Sequence, residues 1–351
     1  AYFSGCSNGG RQALMEAQRY PDDYDGIVAG NPSLGALGYV RRAVTYQFML
    51  ASQDRVLTPQ KLEVLSKAAI AACDKNDGVV DGLIGDPRAC KFDAAALACN
   101  GGDGPGCLTA GQVAMVKYIH GETQLPNGKR IAGFPVGHED GTTGWPQWIT
   151  GRTPPTSQAE GGAMTFGSEP PIGFRFADGF FRYMAFEKDD PEYDWRKSFE
   201  LARDLPQIET VARIISPTDP DLSAFRKSGG KLLLYHGWAD PAISAYGTIN
   251  YFGDVVAKSG GRARAAEFVR LFLAPGMHHC AGGPGPNAFD SLSAIERWVE
   301  NGAAPERIVA SHSTGDKVDR TRPLCPEPRV ARYVGSGSID SAENFRCDAP
   351  R

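Results

Sequence analysis

Short apolar runs bounded by glycines occur near both ends of the chain, and this pattern predicts buried strands of a parallel sheet. Residues 1–4 precede a glycine-rich turn and a helix-like stretch, and residues 25–30 form the next apolar run. Residues 231–237 and 268–273 form two more, with a helix-like stretch between them. This alternation of strand and helix predicts an α/β fold.

The middle of the chain lacks this alternation. It contains a helix-like segment at residues 61–72, then a polar glycine-rich loop, and then a tract rich in Trp and Phe at residues 145–186. A chain of 351 residues is long enough for two domains, or for one large domain with an insertion. We therefore predict a discontinuous α/β domain at 1–33 and 218–351, interrupted by an inserted domain at 34–217.

Composition and charge argue against two classes of partner. The chain has 37 Lys and Arg against 41 Asp and Glu, a formal net charge of −4, so a basic nucleic-acid groove is not expected. The sequence has no run of about 18 apolar residues that would cross a bilayer. We expect a folded protein that binds neither nucleic acid nor a membrane.

The cysteines indicate disulfides and an oxidising compartment. There are eight, no Cys-x-x-Cys occurs, and the spacings do not match tetrahedral zinc sites, so a secreted or periplasmic protein is expected. Many connectivities are possible. Proximity in sequence favours the pairs Cys73–Cys90, Cys99–Cys107 and Cys325–Cys347, which leaves Cys6 to pair with Cys280.

A candidate nucleophile lies in the first glycine-rich turn. Residues 5–9 read Gly-Cys-Ser-Asn-Gly and match G-x-S-x-G, in which a serine occupies a strained turn between a strand and a helix. The two glycines of the motif would allow close backbone packing around Ser7. The N–H of Asn8, at the start of the helix, is a candidate oxyanion donor. The alternative is an ordinary glycine-rich turn, since the chain has 42 glycines.

Candidates for the base and the acid follow in the order Ser, Asp, His that α/β-hydrolases use. Asp240 lies just after the apolar run at 231–237, and the adjacent His278 and His279 follow the run at 268–273. Both positions lie beyond the carboxyl ends of predicted strands, where parallel sheets place their sites.

The cysteines favour His279 as the base. If Cys6 and Cys280 are bonded, their Cα atoms lie within about 7 Å, and the neighbouring Ser7 and His279 are brought together. His278 is the alternative. A zinc site formed by residues 278–280 is disfavoured, because three consecutive residues rarely direct their side chains at one metal.

A loop at residues 73–83 is a candidate cation site. Three carboxylates, those of Asp74, Asp77 and Asp81, lie within eight residues, and oxygen ligands at this density suit Ca²⁺. The spacing is not that of an EF-hand, so we expect a structural ion. The alternative is a solvated Asp/Asn/Gly turn.

Several segments together resemble the tannase and feruloyl esterase family. They are residues 5–11, 24–30, 73–82, 236–240, 275–280 and 322–326. The resemblance implies an α/β-hydrolase core, a large lid inserted after the nucleophile, and a disulfide between the cysteines that adjoin the nucleophile and the base. In the family, further core strands and a second oxyanion donor precede the nucleophile, so we expect these to be missing from this chain.

The resemblance also implies site residues. It implies a triad of Ser7, Asp240 and His279, and Trp148 stacking on an aromatic acyl group. The alternative for Trp148 is a core residue of the lid. It implies a calcium ion in the lid, held by Asp74, Asp77, Asp81 and the carbonyls of Val79 and Leu83. Candidates for a carboxylate-binding arginine of the lid are Arg152, Arg175 and Arg182.

We therefore expect a secreted serine esterase that hydrolyses aromatic carboxylic esters of the feruloyl or galloyl type through an acyl-enzyme. Hydrolysis of mono(2-hydroxyethyl) terephthalate, an activity found in the same family, is the alternative substrate prediction. The alternative from another class is a non-catalytic, calcium-stabilised module that binds polyphenols or cell-wall polymers.

Overall fold

The computed structural model describes residues 1–157 and 164–350, and the chain divides into two compact units. The first unit consists of Ala1–Leu34, Ile70–Cys90 and Pro217–Arg351. The second consists of Gly35–Ala69 and Lys91–Ser216.

Helices and strands are numbered in chain order. The helices are α1 (Asn8–Arg19), α2 (Ala36–Leu50), α3 (Pro59–Cys73), α4 (Ala110–His120), α5 (Ile172–Tyr183), α6 (Trp195–Ser198), α7 (Leu201–Ile215), α8 (Ser223–Lys227), α9 (Ala245–Lys258), α10 (Arg262–Ala265) and α11 (Ser291–Asn301). The strands are β1 (Tyr2–Cys6), β2 (Gly26–Gly30), β3 (Thr123–Gln124), β4 (Arg130–Ile131), β5 (Thr156–Ser157), β6 (Met164–Thr165), β7 (Lys231–Gly237), β8 (Val269–Ala274), β9 (Ile308–Thr314), β10 (Lys317–Leu324), β11 (Val330–Tyr333) and β12 (Phe345–Asp348).

A parallel sheet with the strand order β1-β2-β7-β8 forms the centre of the first unit. Successive side chains of a strand point to opposite faces of the sheet, so neighbouring residues pack against different helices. Ile27 and Leu232 pack with α1 and α9 on one face. Val28 and Leu233 pack with α11 on the other. Burial on both faces explains why the inner strands read as continuous apolar runs.

The register of this sheet brings the carboxyl ends of its four strands to one edge. Cys6 of β1 pairs with Gly30 of β2, Gly30 pairs with Tyr235 of β7, and Tyr235 pairs with Phe272 of β8. The segments that follow these strands therefore emerge side by side.

The sequence prediction and the structure differ over Ile70–Cys90, which was expected in the inserted domain and belongs to the first unit. Ion pairs hold the segment there. Arg322 of β10 pairs with Asp81, and Arg88 pairs with Glu327 at 2.9 Å. These partners are more than 200 residues away in sequence, so local sequence pattern does not reveal them.

The second unit is mainly helical around one aromatic core. Tyr46, Phe180, Phe181 and Trp195 are all buried in it, and the chain contributes them from α2, α5 and α6. The ring of Phe181 lies 6.0 Å from that of Trp195. This packing accounts for the Trp- and Phe-rich tract in the sequence.

All eight cysteines form disulfides, in the pairs Cys6–Cys280, Cys73–Cys90, Cys99–Cys107 and Cys325–Cys347. Within residues 1–157 and 164–350, no helix is both long and apolar enough to span a bilayer.

Truncation of Trp195 will test the aromatic core. Trp195 is 0% exposed, and Trp195→Ala is expected to lower the free energy of unfolding by about 3–5 kcal/mol, because it opens a cavity. Ile214, in the same unit, is 63% exposed, and Ile214→Ala should change stability by less than about 0.5 kcal/mol. Urea unfolding followed by circular dichroism measures both, and equal effects would contradict the assignment of the core.

Candidate active site

Ser7 occupies a strained turn between β1 and α1. Its φ is 63° and its ψ is −119°, a conformation that non-glycine residues rarely adopt. Hydrogen bonds hold the turn in place: Ser7 N donates to Gly30 O at 3.0 Å, and Ser7 O accepts from the N–H of Arg11 at 3.0 Å and of Ser33 at 3.1 Å. The backbone at the end of β2 therefore fixes the position of the candidate nucleophile.

Close backbone approaches explain two of the nearby glycines. A Cβ on Gly5 would lie 2.6 Å from the backbone of Gly9, and one on Gly10 would lie 2.4 Å from Gly30 O. A Cβ on Gly9 would have no atom within 4 Å. Within α1, Gly10 excludes a side chain because α1 packs against β2 there, whereas Gly9, the second glycine of the motif, does not.

Asp240 lies in the turn after β7 and is fully buried. Its Oδ1 accepts hydrogen bonds from two backbone amides, those of Ala242 at 2.7 Å and Ile243 at 3.0 Å. This turn fixes one oxygen of the carboxylate and leaves the other to face the neighbouring loops.

The other oxygen, Oδ2, is surrounded by three nitrogen donors. His279 Nδ1 lies at 2.9 Å, Asn31 Nδ2 at 2.7 Å and His236 Nε2 at 3.2 Å. Burial alone would raise the pKa of Asp240, but the nearby His279 and His236 hold it well below its usual range. Asp240 is therefore an anion that orients the His279 ring.

His279 reaches this position because its loop crosses the sheet edge. β1 and β8 are the outer strands of the order β1-β2-β7-β8, about 14 Å apart at three strand spacings. The Cα atoms of Cys6 and Cys280 are nevertheless only 6.0 Å apart. Positive φ values at Gly276, 66°, and at Gly283, 87°, let the loop after β8 turn back.

The structure distinguishes between the two adjacent histidines. His279 contacts the carboxylate of Asp240. His278 is buried, and its backbone N–H donates to Gly282 O at 3.0 Å within the same loop. The geometry is that expected for His279 as the base, and the catalytic roles of Ser7, Asp240 and His279 stay predictions, as does that of the Asn8 N–H.

Two contacts of Asp240 were not anticipated from the sequence. Asn31 follows directly after β2, and His236 precedes Asp240 by four residues. The sequence contained a signal in both cases. Asn31 is a polar residue at the carboxyl end of a buried strand, and His236 is a histidine in the strand that precedes Asp240. Which oxygen they contact depends on the sheet register.

The loop with the candidate calcium ligands is closed by the Cys73–Cys90 disulfide. The carboxylate of Asp74 accepts hydrogen bonds from the backbone N–H groups of Asp81, at 3.1 Å, and Gly82, at 2.8 Å. Burial raises the pKa of Asp77 to about 7; the Val79 N–H opposes this shift, and the nearby Asp81 and Asp74 add to it. The loop thus concentrates negative charge.

Arg322 donates to the carboxylate of Asp81 and provides positive charge beside the loop. Asp77, Asp81, Leu83 and Arg322 line one cavity of the first unit. Among the residues described, no group of three or more His, Cys, Asp or Glu side chains has the arrangement of a metal site. The calcium ligands, including the carbonyls of Val79 and Leu83, stay predictions.

Trp148 lies in the second unit. Its carbonyl accepts a hydrogen bond from Tyr46 Oη at 3.1 Å, and its ring is nearly parallel to that of Phe176, with 6.3 Å between centroids. Phe176 is partly exposed. The pair presents aromatic surface, and the role of Trp148 as a substrate contact stays a prediction.

The three candidate arginines are also in the second unit. Arg152 donates to Thr142 O at 3.4 Å, and Arg182 pairs with Asp178 at 3.1 Å. Arg175 lies exposed on α5. These contacts do not select one of the three.

Comparison with known proteins identifies relatives along nearly the whole chain. Residues 1–348 match the family model "Tannase and feruloyl esterase". The chain is 36% identical to an uncharacterized esterase of Xanthomonas campestris pv. campestris, over 100% of this chain and 66% of that protein. It is 35% identical to the mono(2-hydroxyethyl) terephthalate hydrolase of Piscinibacter sakaiensis, over 100% of this chain and 64% of that protein.

A solved structure agrees with these matches. The crystal structure of feruloyl esterase B from Aspergillus oryzae is similar with a TM-score of 0.84 and 28% sequence identity, covering 99% of this chain and 68% of that one. The chain spans just under two thirds of the length of the two bacterial relatives, 66% and 64%.

The ionisation of Asp240 predicts a pH dependence of stability. Because its pKa is lowered on folding, Asp240 contributes stability above about pH 4, and this contribution is lost as the pH falls through the range between its unfolded and folded values. Between pH 7 and pH 3, the wild type should lose more stability than Asp240→Asn. Urea unfolding at both values measures this, with the exposed Asp22→Asn as control. An identical loss in all three proteins would contradict the prediction.

Proposed function

Because the chain belongs to the tannase and feruloyl esterase family, we propose that it carries the catalytic residues of a serine esterase that hydrolyses aromatic carboxylic esters. The observation that carries the proposal is the 2.9 Å contact between His279 Nδ1 and Asp240 Oδ2, in a loop that the Cys6–Cys280 disulfide ties to the turn bearing Ser7.

These residues support an acyl-transfer reaction. Ser7 Oγ attacks the ester carbonyl, and His279 Nε2 takes its proton and then gives it to the leaving alcohol. Asp240 holds the Nδ1–H tautomer of His279 and stabilises the imidazolium. The N–H of Asn8 stabilises the oxyanion. Water, activated by His279 in the same way, then hydrolyses the acyl-enzyme and releases the aromatic acid.

We assign the first unit to an α/β-hydrolase core and the second to a lid. The parallel sheet β1-β2-β7-β8 and the family match support the first assignment. The aromatic core and the lack of a large sheet in the described part of the second unit are in keeping with an inserted segment. Four disulfides support a secreted or periplasmic location.

The proposed acyl group is of the feruloyl or galloyl type, with Trp148 as the aromatic contact. The parallel rings of Trp148 and Phe176 support an aromatic substrate. A second candidate is mono(2-hydroxyethyl) terephthalate, because a relative 35% identical to this chain is named as its hydrolase. Its free carboxylate would need one of Arg152, Arg175 and Arg182.

We also propose that the loop at residues 73–83 binds Ca²⁺ in a structural role. The donor set would be the carboxylates of Asp74, Asp77 and Asp81 with the carbonyls of Val79 and Leu83, all hard oxygen ligands. Asp77, Asp81 and Leu83 line one cavity of the first unit, and the Cys73–Cys90 disulfide closes the loop that bears them, which supports this proposal.

Replacement of the nucleophile tests the reaction. In the full-length protein, Ser7→Ala should lower turnover of methyl ferulate, methyl gallate and mono(2-hydroxyethyl) terephthalate by about 10⁴-fold or more. The matched control is Ser4→Ala, an exposed serine in β1, which should retain activity. A fluorophosphonate probe should label the wild type and not Ser7→Ala. Absence of labelling and of turnover in the wild type would favour the binding module.

Calcium removal tests the cation loop. At about 100-fold above its Kd, Ca²⁺ should raise the free energy of unfolding by about 2.7 kcal/mol relative to protein in EDTA. Asp74→Asn should abolish most of this response, and the exposed Asp22→Asn should retain it. Thermal unfolding with and without Ca²⁺ measures the effect, and a wild type that does not respond would overturn the site.

A further inference from the structure

Asn31 is a fully buried residue to which neither the G-x-S-x-G motif nor the triad assigns a role. It follows β2, has a φ of 38°, and its N–H donates to Tyr235 O at 2.8 Å. Its side-chain Nδ2 donates to Asp240 Oδ2 at 2.7 Å, which is shorter than the His279 contact to the same oxygen. Its Oδ1 has no hydrogen-bond partner in the described part of the chain.

These features indicate that the surrounding structure holds Asn31 in a conformation that makes its contact with Asp240. A left-handed backbone and a buried, half-satisfied amide both lower stability, so they persist where the surrounding structure imposes them. The hydrogen bond of the amide to the buried carboxylate is charge-assisted and therefore strong.

His236 shares the same oxygen and restricts it further. Its Nδ1 lies 2.8 Å from Thr248 Oγ1, and its Nε2 lies 3.0 Å from Ile243 O and 3.2 Å from Asp240 Oδ2. Since a carbonyl and a carboxylate both accept hydrogen bonds, the network assigns the proton to Nε2. His236 thus faces Asp240 as a donor.

We propose that Asn31 is a positioning residue for the esterase reaction: it fixes Asp240 so that Oδ2 faces His279 Nδ1, and it withdraws part of the negative charge from that contact. The inference rests on the proposed function. Backbone amides already hold Oδ1, so Asn31 and His236 determine how strongly Oδ2 binds the His279 ring.

Loss of the amide has two consequences. Asp240 Oδ2, with one donor fewer, attracts the His279 proton more strongly, so the ring stays protonated up to a higher pH. The carboxylate also gains freedom to move, which misaligns the ring. Asn31→Gly, which tolerates the left-handed φ, should lower kcat/KM by about 10- to 100-fold and move the acid limb of its pH profile upward.

Two further variants separate positioning from stability. Asn31→Asp keeps the size and backbone preference of asparagine. Two buried carboxylates in contact share one proton, so the O–H of the new acid replaces the amide donor, and the acid limb should lie closer to that of the wild type than the limb of Asn31→Gly does. Asn344→Gly is the matched control, because it deletes an amide that donates to Ser338 O at 2.9 Å, outside the loops that carry Asp240 and His279. It should lower the Tm without moving the pH profile.

A titration without substrate separates this inference from the proposed function. With ¹⁵N-labelled histidine in the full-length protein, NMR follows the protonation of His279, and its titration midpoint should rise in Asn31→Gly and stay unchanged in Asn344→Gly. If the wild type hydrolyses no ester, the esterase proposal fails while this readout still tests the contact. A midpoint and an acid limb that both stay at their wild-type positions in Asn31→Gly would overturn the positioning role.

Discussion

The disulfide between Cys6 and Cys280 is the constraint on which the site depends. It joins residues 274 apart in sequence and links the turn after β1 to the loop after β8, the two outer strands of the central sheet. Hydrogen bonding within the sheet cannot bring these two ends together, because two strands separate them. The disulfide and the glycines of the loop after β8 bring the two ends together. Ser7 and His279 adjoin the two bonded cysteines and are therefore brought together as well.

The buried carboxylate of Asp240 is the second feature on which the candidate site depends. Two backbone amides hold one oxygen, while His279, Asn31 and His236 surround the other. A buried anion is stable only when such donors replace its lost hydration. The same donors keep Asp240 ionised, so its part in the proposed reaction is to orient and stabilise the imidazole rather than to take up a proton.

The segment Ile70–Cys90, which contains the candidate calcium ligands, belongs to the same unit as the triad candidates, through the ion pairs Asp81–Arg322 and Arg88–Glu327. Arg88 also lies over the ring of Trp238, 5.3 Å from its centroid, and Trp238 is two residues before Asp240. The loop therefore packs close to the turn that carries the candidate acid. A role of this segment in the stability of the unit follows from those contacts, independently of the proposed ion.

Local sequence determined the strand–turn–helix around Ser7, the order of the candidate triad, the strands of the central sheet and the favoured cysteine pairs, because each depends on nearby residues or on cysteine count. Other features depend on contacts between distant segments. These are the return of the His279 loop across the sheet, the grouping of Ile70–Cys90 with the first unit, the approach of Gly10 to β2, and the contacts of Asn31 and His236 with Asp240. Strand register and long-range ion pairs create them, so only the tertiary structure could decide them.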